Sequence, residues 1–168
     1  QAPVLDRGPG VGVSASAGER VVPAGWIELT RRMLDAWAID SQDSVVEFAP
    51  GLGATARLVL GRWPSTYCAV ERDPAAAERL RRQLAGTVAE IVPGEAQKSG
   101  LPDRSATAVY GQAMLNMQSQ EQKRRIFAQA RRLLRSEGSY GISATPLELR
   151  ISSVPAPIHS PVSATYRI

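Results

Sequence analysis

The stretch that most narrows the folds open to this chain is Val45-Val46-Glu47-Phe48-Ala49-Pro50-Gly51-Leu52-Gly53. A short apolar run with one acid inside it has the length of a buried strand. Proline and two glycines break it at once. Ala56, Leu58, Val59 and Leu60 then restore helical spacing from Thr55 to Arg62. A strand that bends through glycines straight into a helix is the opening unit of an α/β layer, not of a helical bundle or a β-sandwich.

The same alternation continues along the chain. Trp26, Ile27, Thr30, Met33, Leu34 and Trp37 recur at spacings of three and four, which predicts a helix from Ala24 to about Ile39. Thr66–Val70 reads as a second strand. Asp73 suits an N-cap and Pro74 a first helical position, so a helix is expected to run to about Leu84. Val88–Val92, Thr107–Gly111 and Ser139–Ser143 read as further strands. Ser119 with Gln122 has the form of a capping box opening a helix to about Leu134, which Ser136-Glu137-Gly138 is expected to stop. Strands alternating with helices predict a Rossmann-like, doubly wound α/β fold with a mostly parallel sheet and helices on both faces. Ligands of such folds bind outside the strand C-termini, where the strand order reverses. Residues 1–23, rich in Gly, Pro, Ala and Ser, read as a flexible arm or lid; 24–144 read as the ligand-binding domain; 145–168 read as a short tail or edge strands.

Composition narrows the chemistry. The 168 residues suit one domain, and 43% hydrophobic with 21% charged residues is ordinary for a soluble protein. No run approaches the roughly 20 apolar residues of a membrane-spanning helix, and no signal peptide is visible, so a cytoplasmic location is the default expectation. Cys68 is the only cysteine, which excludes an internal disulfide and a multi-cysteine metal site. His159, the only histidine, lies in a Pro/Ser-rich tail, so no metal site and no Ser-His-Asp triad is expected. The net charge of +4 would suit an anionic partner. Its carriers, however, Arg79, Arg81 and Arg82 on one helix and Lys123, Arg124, Arg125, Arg131, Arg132 and Arg135 on another, alternate with apolar positions. That is the pattern of solvated helix faces, and nucleic acid is not the expected partner.

Two elements point to a ligand. Glycine in the turn after the first strand opens backbone angles closed to other residues and lets a ligand approach the main chain. The N–H groups at the start of the next helix offer donors. Glu71 ends the second strand, 18 positions beyond Gly53, where a carboxylate can accept from a ribose diol. A surface pairing of Glu71 with Arg72 or Arg79 is the plainer alternative. Gly51-Leu52-Gly53-Ala54-Thr55-Ala56 also satisfies the Gly-x-Gly-x-x-Ala dinucleotide fingerprint of NAD-dependent oxidoreductases. Against that stands Glu47, which would set a carboxylate beside a pyrophosphate.

Glu47-Phe48-Ala49-Pro50-Gly51-Leu52-Gly53 resembles motif I of class I S-adenosylmethionine-dependent methyltransferases, acid-h-Gly-x-Gly-x-Gly, where h is apolar. Gly94-Glu95-Ala96 resembles the Gly-Asp-Ala loop after their third strand. Leu101-Pro102-Asp103-Arg104-Ser105 resembles their Leu-Pro-Phe-x-Asp-x-Ser segment, and Arg132-Leu133-Leu134-Arg135-Ser136-Glu137-Gly138 the turn before their fifth strand. The likeness runs in order from about 24 to 144 and is nearest to the ubiquinone/menaquinone-methyltransferase-like small-molecule group. It implies S-adenosylmethionine as cofactor and transfer of its methyl group to a small molecule. In that reading Glu47 receives the methionine ammonium, directly or through water, and Ala49, Gly51 and Gly53 line the methionine and ribose. Glu71 holds the ribose hydroxyls with Arg72 beside the adenine, Glu95 and Ala96 face the adenine, and Gly111 and Gln112 sit near the sulfonium. Displacement on a sulfonium needs alignment and exclusion of water more than a protein nucleophile, which suits a chain with one Cys and one His. No catalytic base can be named.

Departures from the pattern are Ala49 for the first glycine, Thr107 where relatives carry Asp, and Glu137 at a Pro or Gly position. The relatives' seven-stranded sheet is continued here only by Thr145–Ile168, in which Leu147–Ser152 and Val162–Ile168 are candidate edge strands. The sheet is therefore expected to be trimmed or completed by a partner chain, and a homodimer is the expected assembly. A non-catalytic domain of the same fold is the main alternative to an enzyme, and a nucleic-acid methyltransferase a lesser one. Met114, Leu115 and Met117 after the fourth strand are candidates to border an apolar or aromatic hydroxyl acceptor; Trp26, Met33 and Trp37 are expected in the core.

Overall fold

The strands and helices expected between residues 24 and 144 are present, and the sheet they build sets the ligand edge. The computed structural model describes residues 24–112, 115, 118–144 and 162–167. In chain order the elements are α1 (Ala24–Trp37), β1 (Ser44–Phe48), α2 (Ala54–Leu60), β2 (Thr66–Glu71), α3 (Pro74–Gln83), β3 (Ala89–Pro93), β4 (Ala106–Gln112), α4 (Gln120–Leu133), β5 (Leu134–Ala144) and β6 (Val162–Arg167). The expected arm 1–23, the candidate strand Leu147–Ser152, His159, Met114 and Met117 lie outside the described residues.

The sheet order is β3-β2-β1-β4-β5-β6, with β1 to β5 parallel and β6 antiparallel to β5. The chain leaves β1 toward β2 and β3, then crosses back to β4 on the other side of β1. That reversal places the switch point, and hence the ligand edge, at the C-terminal ends of β1 and β4. β6 of the same chain pairs along β5 from Ser139↔Arg167 to Ala144↔Val162, so the β5 edge needs no partner chain. Among the described residues no helix is long and apolar enough to cross a membrane.

Alternation along the central strands explains why both faces are covered. Val45, Tyr67, Ala69, Ala108 and Tyr110 point to the face covered by α1, α2 and α3, through Met33, Leu34, Ala56, Val59, Ala77 and Leu80. Val46, Phe48, Val70 and Val109 point to the other face and meet Ile126, Ala130 and Leu133 of α4. Cys68 is half-buried in the sheet, and that burial, with Glu90 nearby, pushes its thiol up to about 12.

The helix ends follow the expected local chemistry. The Asp73 side chain accepts from Ala75 N–H ahead of Pro74, and Ser119 and Gln122 form a reciprocal capping box. Thr107 lies within β4, as expected. Its hydroxyl donates to Asp43 Oδ1 at 2.7 Å and accepts from Ser44 N–H at 3.0 Å, pinning β4 to the start of β1.

One boundary differs. α4 ends at Leu133, next to the expected Leu134, but β5 begins already at Leu134 and not at Ser139, so Ser136-Glu137-Gly138 lies within the strand. Ala106 pairs with Leu134 and Ala108 with Ser139, so five steps on β5 face two on β4. Leu134 is drawn into the α4 core in extended form, and the surplus residues bulge out with Glu137 at φ 69°.

Gly141 of β5 marks the closest approach of α1 to the sheet. A Cβ there would run into the Met33 sulphur and lie 2.5 Å from the Trp37 ring. Gly141→Ala is therefore expected to cost about 2 kcal/mol through overpacking, read by urea denaturation. A variant as stable as the parent would show that α1 yields freely.

Candidate functional site

The loop between β1 and α2 is built from left-handed backbone. Ala49, Gly51 and Gly53 have φ of 53°, 58° and 78°. Its ends are tied down: Ala49 N–H donates to Val70 O on β2, and Gly53 N–H to Pro50 O within the turn. The two glycines serve different ends. At Gly53 a Cβ would lie 2.8 Å from Leu80 Cδ2, so its bareness lets the start of α2 pack on α3. At Gly51 a Cβ would meet nothing within 4 Å, and the residue is exposed; here the bare backbone faces open space. Ala49, where the family pattern has glycine, keeps the bend at the expense of a left-handed alanine.

Beneath this loop lies a buried carboxylate. Glu47 is 1% exposed. Its two oxygens accept from the Thr55 hydroxyl, in the first turn of α2, and from the Tyr67 hydroxyl on β2. Tyr110 of β4, the register partner of Glu47, is buried beside them. Burial raises the Glu47 carboxyl above its ordinary 4.5, only partly offset by the hydroxyls of Thr55, Tyr110 and Tyr67. Burial, then the Glu47 charge, pushes the Tyr67 and Tyr110 hydroxyls well above their ordinary range. Thr55, Tyr67 and Tyr110 were not singled out from the sequence. The usable signal was alternation: Tyr67 and Tyr110 share the inward face of Glu47 once the strand register is known.

Glu71 closes β2 on the same face. Glu47 pairs with Ala69, and Glu71 lies two residues on, so the two acidic Cα atoms stand about 8 Å apart by ordinary strand spacing. Glu71 Oε1 accepts from Asp73 N–H at 2.8 Å, and its backbone carbonyl accepts from Gly94 N–H at 3.1 Å. Among the described residues it forms no ion pair with Arg72 or Arg79, so the plainer reading of Glu71 as half of a surface pair finds no support. Arg72 is exposed beside it.

The Gly94–Glu71 bond brings the third loop to the same edge. Glu95 is exposed, and its carbonyl accepts from Lys98 N–H in a tight turn. Ala96 is buried with Phe48 and Val70 in the α4-side core. Gly111 pairs with Phe48 and Gln112 ends β4, across the switch point from the loop. The sequence-predicted residues thus gather at one sheet edge, in three tiers: Glu47 buried below, Ala49, Gly51 and Glu71 at the rim, and the Glu95 turn to one side.

The two later segments also meet. Arg132 of α4 donates to Leu101 O at 2.8 Å and forms an ion pair with Asp103, while Arg104 N–H donates to Arg132 O. Arg132 therefore leaves the solvated face expected for it and staples the 101–105 loop to α4.

A parallel α/β sheet with a glycine bend at its switch point and an acid on the neighbouring strand defines a class of proteins that bind nucleoside-bearing ligands. A family described as a methyltransferase domain matches residues 45–138, and the chain belongs to it. No curated protein matches it. Solved structures share the fold. The PH0226 protein of Pyrococcus horikoshii OT3 is 18% identical, with a TM-score of 0.66 over 76% of this chain and 60% of that one. An S-adenosylmethionine-dependent methyltransferase of Mesorhizobium loti is 19% identical, with a TM-score of 0.60 over 69% and 54%. The glycopeptide N-methyltransferase MtfA, solved with sinefungin, is 22% identical, with a TM-score of 0.61 over 72% and 54%. The chain spans about half the length of the solved structures it matches.

Two outcomes follow from this geometry. Ala49→Gly relieves a left-handed alanine and is expected to stabilise the chain by about 0.5–1 kcal/mol in urea denaturation, net of the extra freedom of the unfolded glycine. A loss of stability would mean the bend is not strained. Glu47, whose folded pKa lies above 4.5, holds its proton more tightly folded than unfolded, so its contribution is greatest at low pH and is lost as the pH rises from about 4.5 through the folded value. The Tm of Glu47→Gln should accordingly gain on that of the parent as pH rises through this window. A variant Tm that instead falls further behind the parent as pH rises would mean the hydroxyls favour the charged carboxylate over the neutral acid.

Proposed function

We propose that this chain binds S-adenosylmethionine across the C-terminal ends of β1, β2 and β4 and transfers its methyl group to a small-molecule acceptor. The observation that carries the reading is the meeting of open backbone at Gly51 with the Glu71 carboxylate on one sheet edge, over a loop anchored by Glu47. When bound, the cofactor supplies a methyl group already activated on sulfonium. The loop Ala49–Gly53 offers backbone to its methionine and ribose. Glu71, with one oxygen bound to Asp73 N–H, keeps acceptor capacity for a ribose diol. Arg72, Glu95 and Ala96 border the adenine, and Gly111 and Gln112 the sulfonium. Glu47, buried and held by two hydroxyls, fixes the loop from beneath and reaches the methionine ammonium through water.

Because the methyl is activated, the work left to these residues is alignment and exclusion of water. Within class I we read the chain as closest to the ubiquinone/menaquinone-like small-molecule enzymes. That reading rests on the ordered run of motifs from about residue 24 to 144, two of which, Leu101–Ser105 and Arg132–Gly138, meet through Arg132. Leu115, buried just beyond β4, suits an apolar or aromatic hydroxyl acceptor.

Calorimetry with S-adenosylhomocysteine and with NAD separates this reading from a dinucleotide enzyme. The nucleoside thioether should bind and NAD should not, and Glu71→Ala should weaken binding about 10- to 100-fold, the loss of charge-assisted hydrogen bonds to a diol. Binding of NAD alone, or an unchanged Kd in Glu71→Ala, would overturn it.

A further inference from the structure

Tyr110 carries a buried hydroxyl that lies beside the Glu47 carboxylate without a well-aligned hydrogen bond to it. The residue is 1% exposed and its hydroxyl has no hydrogen-bond partner in proper geometry among the described residues. A phenylalanine would fill the same space, so a buried hydroxyl left without an aligned partner calls for a state in which it has one. Its neighbours identify that state. Tyr110 faces Glu47 across the β1–β4 register, close enough for its hydroxyl to temper the carboxyl's hold on its proton. The Glu47 carboxylate can accept about four hydrogen bonds, and two donors, Thr55 and Tyr67, already occupy it. Tyr110 is the third hydroxyl at the same group. It also immediately precedes Gly111 and Gln112, the end of β4 that the proposed reading sets beside the sulfonium.

We propose that Tyr110 is a positioning residue whose hydroxyl becomes the third donor to Glu47 when the amino-acid end of the cofactor enters, coupling the β1 loop to the end of β4. This rests on the S-adenosylmethionine reading above. A cationic ammonium over the loop increases the negative charge that Glu47 carries, and a charged carboxylate draws stronger and more numerous donors than a neutral one. Thr55 links the carboxylate to the first turn of α2 and Tyr67 links it to β2. Engagement of Tyr110 adds β4, so the loop, the ribose-side strand and the methyl-side strand are drawn to one point.

The test compares Tyr110→Phe and Tyr67→Phe in the full chain, by ligand-free Tm and by calorimetry with S-adenosylhomocysteine and with adenosine, which lacks the amino-acid end. Tyr67→Phe breaks a bond already present and should lower the ligand-free Tm. Tyr110→Phe should keep or raise that Tm, weaken S-adenosylhomocysteine about tenfold and leave adenosine unchanged. Equal affinity of Tyr110→Phe and the parent for S-adenosylhomocysteine would overturn the role of Tyr110 while leaving the cofactor reading intact. So would equal weakening of both ligands, or a fall in ligand-free Tm, since either marks a group that only holds the core. A parent chain that binds neither ligand would overturn the cofactor reading, and this inference with it.

Discussion

The site is organised around a carboxylate that has been taken out of water. Glu47 sits in one of the two central strands of the sheet, and an acid so deeply buried is tolerated only where hydrogen-bond donors replace the lost hydration. Thr55 and Tyr67 do so, and because they come from α2 and β2 they turn one acid into a joint between three elements. The bend between β1 and α2 is short and left-handed at three positions, and its conformation depends on both of its ends being held. Remove the joint and the loop keeps its glycines but loses the fixed edge against which a ligand could be oriented.

Around that joint the backbone does most of the positioning. Ala49 to Val70 and Gly94 to Glu71 are main-chain bonds that carry the parallel ladder one step past its strands. They bring three loops to a common level. Side chains then divide the labour: Gly53 gives its missing Cβ to helix packing, Gly51 leaves open backbone, and Glu71 is oriented by Asp73 N–H. On the opposite face Arg132 performs the same service for the 101–105 loop. A methyltransferase-domain chain with one cysteine and one histidine has few groups for bond-making chemistry, and this architecture spends its polar contacts on geometry instead.

Much of this was legible in the residues. The order of strands and helices followed from period and punctuation, and the caps at Asp73 and Ser119 from residue type, because those signals are local. Glu47, Gly51 and Glu71 were recognisable by their places at strand ends. What escaped was whatever depends on register. Tyr67 and Tyr110 looked like ordinary strand aromatics until pairing set them around Glu47. Arg132 looked like one more solvated cation until the 101–105 loop came to lie beside it. The start of β5 was misplaced because Leu134 is already extended and buried against α4, with the surplus residues before Ser139 bulging out.

The sequence alone therefore determined the element order, the parallel α/β class and the family's glycine bend, all written in spacings of a few residues. Only the tertiary structure decided which residues hold that bend, that β6 of the same chain closes the β5 edge, and that Glu47 lies buried under the loop and not at its rim. Those are outcomes of burial and strand register, which arise between segments far apart in the chain and leave no trace in the local pattern of either one.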